Sequence, residues 1–197
     1  MCPHCSFSLT TLGKLLGTPP KLEPYIHDFT NTLPPEEQFK IRKLLRTNRI
    51  QRPNNGFHLV ISDFLDERLP LSVHGFWFLN RGGICAPVDS AGACYDLLVL
   101  VNPANHRAAL CAGYAIEYLI DQEALDAVIQ SQMHALIEAR YYEALEGIIK
   151  RMNDLLDKAV IKNKSTFLPL AKGERIVSID GESKSTQVTN KPGESPY

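Results

Sequence analysis

No stretch of this chain approaches the roughly 20 consecutive apolar residues that a membrane-crossing helix needs, so a direct membrane span is not expected. Charge of one sign is also missing. Lys and Arg total 21 against 22 Asp and Glu, for a net charge of −1, and no whole-molecule field exists to hold a nucleic acid by counterion release. No G-x-S-x-G, H-E-x-x-H, G-x-G-x-x-G or Walker lysine motif occurs, which leaves the common hydrolase and nucleotide-binding classes without support. The opening residues Met1-Cys2-Pro3-His4-Cys5 lack a basic stretch followed by an apolar one, and the expectation is a soluble, cytoplasmic protein. Cysteines are five, an odd number, and Cys85, Cys94 and Cys111 are scattered without a framework of small loops. That pattern predicts reduced thiols in place of structural disulfides.

What is present is an ordinary globular composition. Of the 197 residues 44% are hydrophobic and 22% charged, which suits one domain with tails. Residues 1–24 read as a leader rich in Cys, Ser, Thr and Pro, ending in the Pro19-Pro20 and Glu23-Pro24 breaks. Residues 25–161 carry the periodic apolar pattern of the domain. From Lys162 to Tyr197 the Ser, Thr, Lys, Gly and Pro content predicts a disordered tail.

Within the domain, Leu33-Pro34-Pro35-Glu36-Glu37 starts a helix, because proline loses nothing in a first turn and carboxylates there complement the helix dipole. The helix is expected to reach Arg49. Its basic residues Lys40, Arg42, Lys43, Arg46, Arg49 and Arg52 alternate with Ile41, Leu44, Leu45 and Ile50, the pattern of a packed helix with a solvated basic face. The Pro53-Asn54-Asn55-Gly56 turn precedes a strand at Phe57–Phe64, and Leu71–Asn80 reads as a second helix stopped by Gly82-Gly83. Its Phe76-Trp77-Phe78 cluster belongs mainly in the core, since consecutive aromatics on a helix leave one to face elsewhere. Leu97–Val101 is an unbroken apolar run suited to a central strand covered on both faces. Asn102–His106 turns the chain, and Arg107–Ala112 returns as the antiparallel partner. A short helix around Leu125, Val128 and Ile129 and a last one carrying Leu145, Ile148, Ile149, Met152, Leu155, Leu156 and Ala159 complete a small mixed sheet covered by helices.

Two groups of residues carry candidate chemistry. Cys2-Pro3-His4-Cys5 presents two thiolates at zinc-knuckle spacing, half of a tetrahedral site. Further ligands would be His4, His27, the pair Cys85 and Cys94, or another chain, and a redox pair or a metal-free terminus are the alternatives. Asp28, Asp96, Glu117 and Asp121 fall at predicted element ends, where several oxygens can converge on Ca²⁺ or Mg²⁺. The competing reading makes them caps and surface charges, with Asp28 before one helix and Asp121 capping the helix that starts at 122. His58, His74, His106 and His134 adjoin no nucleophile motif, and His58 alternates with Phe57 and Leu59 as an outward strand residue would.

In order along the chain, several of these pieces resemble the TPM-domain (phosphatase-like) family, including its bacterial members. They are Asp28 before Leu33-Pro34-Pro35-Glu36-Glu37, the strand Asp96–Val101, the turn Asn105-His106-Arg107, and Gly113-Tyr114-Ala115-Ile116-Glu117 with Leu119-Ile120-Asp121 after it. Arg140-Tyr141-Tyr142-Glu143-Ala144-Leu145 follows. The similarity covers about Ile26 to Ala159. It implies a compact three-layer α/β/α sandwich around about four strands, and a role in binding a protein partner as an accessory module. It also implies divalent-ion binding in some members and an acid phosphatase activity in one. The resemblance matches Asp28, Glu117 and Asp121 to acidic positions of the family, with Asp96 at an Asn or Asp position. Ala115 replaces the second glycine of the family's Gly-Tyr-Gly motif, which weakens a site that needs close backbone approach there. The expected function is therefore an accessory or protein-binding module, with a metal-assisted phosphatase and a zinc-knuckle docking protein as alternatives.

Overall fold

The structure, a computed structural model, describes residues 9–85 and 94–166. Four strands form one sheet: β1 (Ile26–Asp28), β2 (Phe57–Ile61), β3 (Leu97–Asn102) and β4 (Arg107–Ala112). They lie in chain order, the first three parallel and β4 antiparallel to β3. Among the described residues seven α-helices accompany them: α1 (Leu9–Leu16), α2 (Pro35–Gln51), α3 (Leu71–Arg81), α4 (Tyr114–Glu117), α5 (Gln122–Gln130), α6 (Met133–Ile137) and α7 (Tyr141–Thr166). This is the small mixed sheet in an α/β/α sandwich that the sequence predicts.

The period of two along each strand sorts the core into two layers. Phe57, Leu59, Ile61, Leu97, Val99, Val101 and Leu110 face α2 and α4 to α7. Val60, Leu98, Leu100 and Cys111 face α1 and α3 on the other side. All six residues of β3 are buried, as a strand covered on both faces requires. α7 contributes Tyr141, Ala144, Leu145, Ile148, Ile149, Met152 and Leu156 from one stripe at i, i+3, i+4, i+7 spacing.

Several boundaries differ from expectation. The leader is not a break throughout. α1 packs Leu12 against the α3 layer, Gly17 leaves the helix with φ +75°, the left-handed conformation that glycine adopts without steric cost, and the Trp77 indole N–H donates to the Gly17 carbonyl at 3.1 Å. α7 continues through Lys162 to Thr166, while the tail expected beyond it and the Cys2–Cys5 knuckle lie outside the described residues. β1 is a three-residue edge strand too short to produce a periodic signal. Trp77 and Phe78 are buried and Phe76 sits at the rim, as the cluster predicts.

The thiol expectation is overturned. Cys85 and Cys94 form a disulfide with Cα atoms 5.3 Å apart, both sulfurs in the α3 layer. The two cysteines meet in the layer beside α3, a proximity that spacing alone does not reveal. They are therefore not available as zinc ligands for Cys2 and Cys5. Cys111 remains a free thiol, and burial pushes its pKa up to about 12, which makes it a packing residue and not a nucleophile.

Candidate functional site

The parallel strands define two ends of the sheet, and the four candidate carboxylates divide between them. Asp28 ends β1 and is paired in register with Ile61, which pairs with Val101. Asp96 precedes β3 at the opposite end, five residues back from Val101. At about 3.3 Å per residue the two aspartates stand roughly 17 Å apart along the strands. One ion held by all four carboxylates has no common centre. Among the described residues, no group of three or more His, Cys, Asp or Glu side chains is arranged to hold a metal ion.

Each carboxylate has a local occupation. Asp28 Oδ1 accepts from the Thr30 N–H and hydroxyl at 3.0 and 2.8 Å, and Oδ2 accepts from the Leu33 N–H at 2.7 Å. It thereby fixes the loop that leads into α2. Asp121 caps α5, accepting from the Ala124 N–H at 2.8 Å, as the capping alternative requires. Glu117 is exposed on α4. Asp96 accepts from Arg49 at 2.7 Å and from the Gly56 N–H at 2.9 Å, with His58 Nε2 at 3.6 Å. Burial pushes the Asp96 carboxyl up, but the bonds and charges of His58 and Arg49 outweigh it and hold the group below the usual carboxylate range. His58 is consequently not an outward strand residue. It turns into this cluster, with Nδ1 accepting from the Tyr25 N–H at 3.3 Å. A polar cavity of about 250 Å³ opens beside Arg49, His58 and Asp96.

The other end is shaped differently. A cavity of about 220 Å³ lies at the C-terminal end of β3, where open α/β sheets place their ligands. Thr32, Val101, Pro103, His106, Arg107, Met133, Leu136, Ile137 and Tyr141 line it. A second, more open groove of about 540 Å³ shares His106, Arg107, Ala108 and Met133 with it. That groove runs between Leu71 and Ser72 of α3 and Gln122, Asp126 and Gln130 of α5. The two meet along the first half of β4, which among the described residues is one of the sheet's two edge strands, where Arg107, Ala108 and Ala109 are half-buried.

Backbone strain concentrates here. Of the four non-glycine residues with positive φ among those described, His106 (52°) and Ala139 (57°) line the first cavity, and Asn31 (55°) adjoins its Thr32. Left-handed backbone at alanine and histidine is uncommon and persists where surrounding structure demands it, often at binding sites. Tyr141 is buried at the foot of the cavity, and burial raises its pKa above the ordinary tyrosine value despite a bond with Thr32. Sequence reading named His106 without a role and left Thr32, Met133, Ala139 and Tyr141 out of any site. Ala139 carries no signal of its left-handed backbone in its identity, since neither Gly nor Asn marks the position.

Fold and grooves together define an α/β/α sandwich with a cleft at one sheet edge. No family model matches the chain, and no curated protein matches it. Among solved structures, it is similar to the N-terminal domain of a protein from P. gingivalis, with a TM-score of 0.55 and 16% identity, over 78% of this chain and 93% of that one. A second, the N-terminal domain of the cg2496 protein from Corynebacterium glutamicum, has a TM-score of 0.48 and 11% identity over 84% of this chain and 95% of that one. The first likeness establishes a shared fold.

Proposed function

We propose that this chain is an accessory module of the TPM-domain kind that binds a protein partner, taking an extended segment of it along the free edge of β4. The observation that carries this reading is the continuous cleft beside Arg107–Ala109, with an apolar recess at one end. An added strand gains main-chain hydrogen bonds from an open edge, and recesses that accept alternate side chains supply selectivity. Ala108 and Ala109 leave the backbone approachable. Met133, Leu136 and Ile137 suit an apolar side chain, and Arg107 with His106 suits a neighbouring carboxylate. Selection of peptides from a random displayed library tests this. Selected peptides should carry an apolar residue next to an acidic one, and Ser72→Trp, which fills the groove from an exposed position, should weaken them about tenfold or more. Peptides that bind the Ser72→Trp variant equally well would remove the groove from the reading.

A metal-assisted phosphatase is the second reading. In its favour, Asp28, Thr30 and Thr32 stand at the same end of the sheet as His106 and Arg107. Phosphoryl transfer needs a polarising cation and charge stabilisation, so loss of hydrolysis of a generic phosphomonoester in Asp28→Ala or in Glu117→Ala would support it. Survival of activity in the double variant would end it. The divalent-ion component is tested by thermal unfolding with Ca²⁺, Mg²⁺ or EDTA, because a ligand of the native state raises its stability. Zinc at Cys2 and Cys5 is tested by metal content of the wild type against a Cys2→Ser/Cys5→Ser variant. The Cys85–Cys94 disulfide favours an oxidising compartment over the cytoplasm.

A further inference from the structure

The outer face of α2 is built unlike that of an ordinary solvated helix. Periodicity assigns Ile50 to the core, yet Ile50 is 71% exposed and Phe39 is 70% exposed. They are eleven positions apart in the sequence, about three whole turns, so both side chains project from one line of the helix, about 16 Å apart along its axis. Lys43 and Arg46 lie between them on nearly the same line, with Arg42 and Lys40 to either side, and all four are exposed. Among the described residues these four have no ion-pair partner. Arg49 and Arg52, by contrast, are engaged by Asp96 and Asp157. The chain is close to neutral overall, which makes this a local basic stripe with an apolar residue at each end.

We infer that α2 is a peripheral docking face for an anionic lipid surface, with Phe39 and Ile50 dipping into the headgroup boundary and Lys40, Arg42, Lys43 and Arg46 pairing with lipid phosphates. Charge complementarity selects the occupant. Each Lys or Arg near an anionic leaflet gains attraction that falls off within a Debye length, and aromatic and aliphatic tips add burial at the acyl boundary. A straight, convex helix face meets a plane without needing pockets, whereas a protein partner would have to supply two recesses at a fixed spacing with carboxylates between them. This surface is separate from the β4 cleft, so either can fail without the other.

Co-sedimentation of the full chain with phosphatidylcholine vesicles, with and without phosphatidylglycerol, tests the inference. Binding should require phosphatidylglycerol and should fall when salt shortens the Debye length. Arg42→Glu/Arg46→Glu should lower partitioning about tenfold or more, and Phe39→Ala/Ile50→Ala should lower it several-fold at unchanged melting temperature, since all four positions are exposed. Tryptophan placed by Phe39→Trp should shift its emission to the blue on anionic vesicles. Equal binding to neutral and anionic vesicles would overturn the inference, as would unchanged binding by the Phe39→Ala/Ile50→Ala variant. Retention by a single-stranded oligonucleotide as strong as by anionic vesicles at the same salt would also overturn it, by showing unselective charge attraction.

Discussion

The two faces of the sheet are stabilised by different means. On one face α2 and α4 to α7 bury the larger set of side chains, almost all aliphatic, from elements that extend far along the chain. Among the described residues the helices that cover the opposite face are α1 and α3. There the buried set is smaller and includes Trp77, Phe78, the Cys85–Cys94 disulfide and the Cys111 thiol, together with Ser62 Oγ and His74 Nε2, which have no hydrogen-bond partner among the described residues. A thick layer distributes its stabilisation over many interchangeable contacts. A thin one depends on a few particular atoms, and it is the one that carries a covalent clasp.

The comparison is first tested by cutting equally into both sides. Leu145→Ala, at a fully buried position of α7, should cost about 2–5 kcal/mol, the sum of lost transfer energy and a residual cavity. Urea unfolding with a lowered midpoint and unchanged m-value would check it. Reduction of Cys85–Cys94, whose partners are 9 residues apart, should cost about 2–3 kcal/mol from the loop-closure entropy released to the unfolded chain. One bond would then weigh about as much as a large aliphatic side chain of the thick layer. If unfolding is the same with and without dithiothreitol, the clasp does not support the thin layer and the contrast fails.

A smaller change probes packing in the thin layer directly. A Cβ at Gly75 of α3 would collide with the side chain of Cys111 on β4, so α3 approaches the sheet as closely as it does because that position has no side chain. Gly75→Ala should cost about 1–3 kcal/mol through overpacking, although alanine is the better helix former by up to about 1 kcal/mol. Combining it with Cys111→Ala should recover most of the loss. A double variant no better than the single one would show that the close approach is set elsewhere.

The difference between the faces also explains what could be read from the chain. The thick layer was legible because α2 and α7 are long amphipathic helices and β3 is an unbroken apolar run, so periodicity survives local exceptions. α1 was not, although Leu12 and Leu16 fall one turn apart, because Gly13 and the two threonines weaken the helical signal and prolines follow closely. The disulfide depends on a three-dimensional proximity that residue spacing does not encode. The same holds for the site. The competing reading of Asp28 and Asp121 as residues that bond neighbouring backbone was legible beside the metal-ligand one, since such bonds are local in sequence. The cleft is assembled from α3, β4, α5, α6 and the start of α7, and its left-handed residues are not glycines.

Asp96 joins the two layers, and its titration gives the smallest of these effects. Arg49 reaches it from α2 on the thick side, while His58 shares its strand face with Val60 on the thin side. Because bonds from His58 and Arg49 hold the folded-state pKa below the unfolded value of about 3.9, this contribution is fully present above that value and disappears as pH falls through the folded one. Acid should therefore weaken the protein below about pH 4. Asp66 and Asp157, also held low by Arg68 and Arg52, add to the wild-type slope, so the informative quantity is the difference from Asp96→Asn. The Arg49 side chain is 41% exposed, and solvent screening keeps such a pair within about 1 kcal/mol. At neutral pH the variant should be less stable than the wild type, and the gap should narrow as pH falls below about 4. A gap that stays constant with pH would mean that the carboxylate matters for the Gly56 hydrogen bond and not for its charge, and that the two layers are joined by backbone geometry instead of by an ion pair.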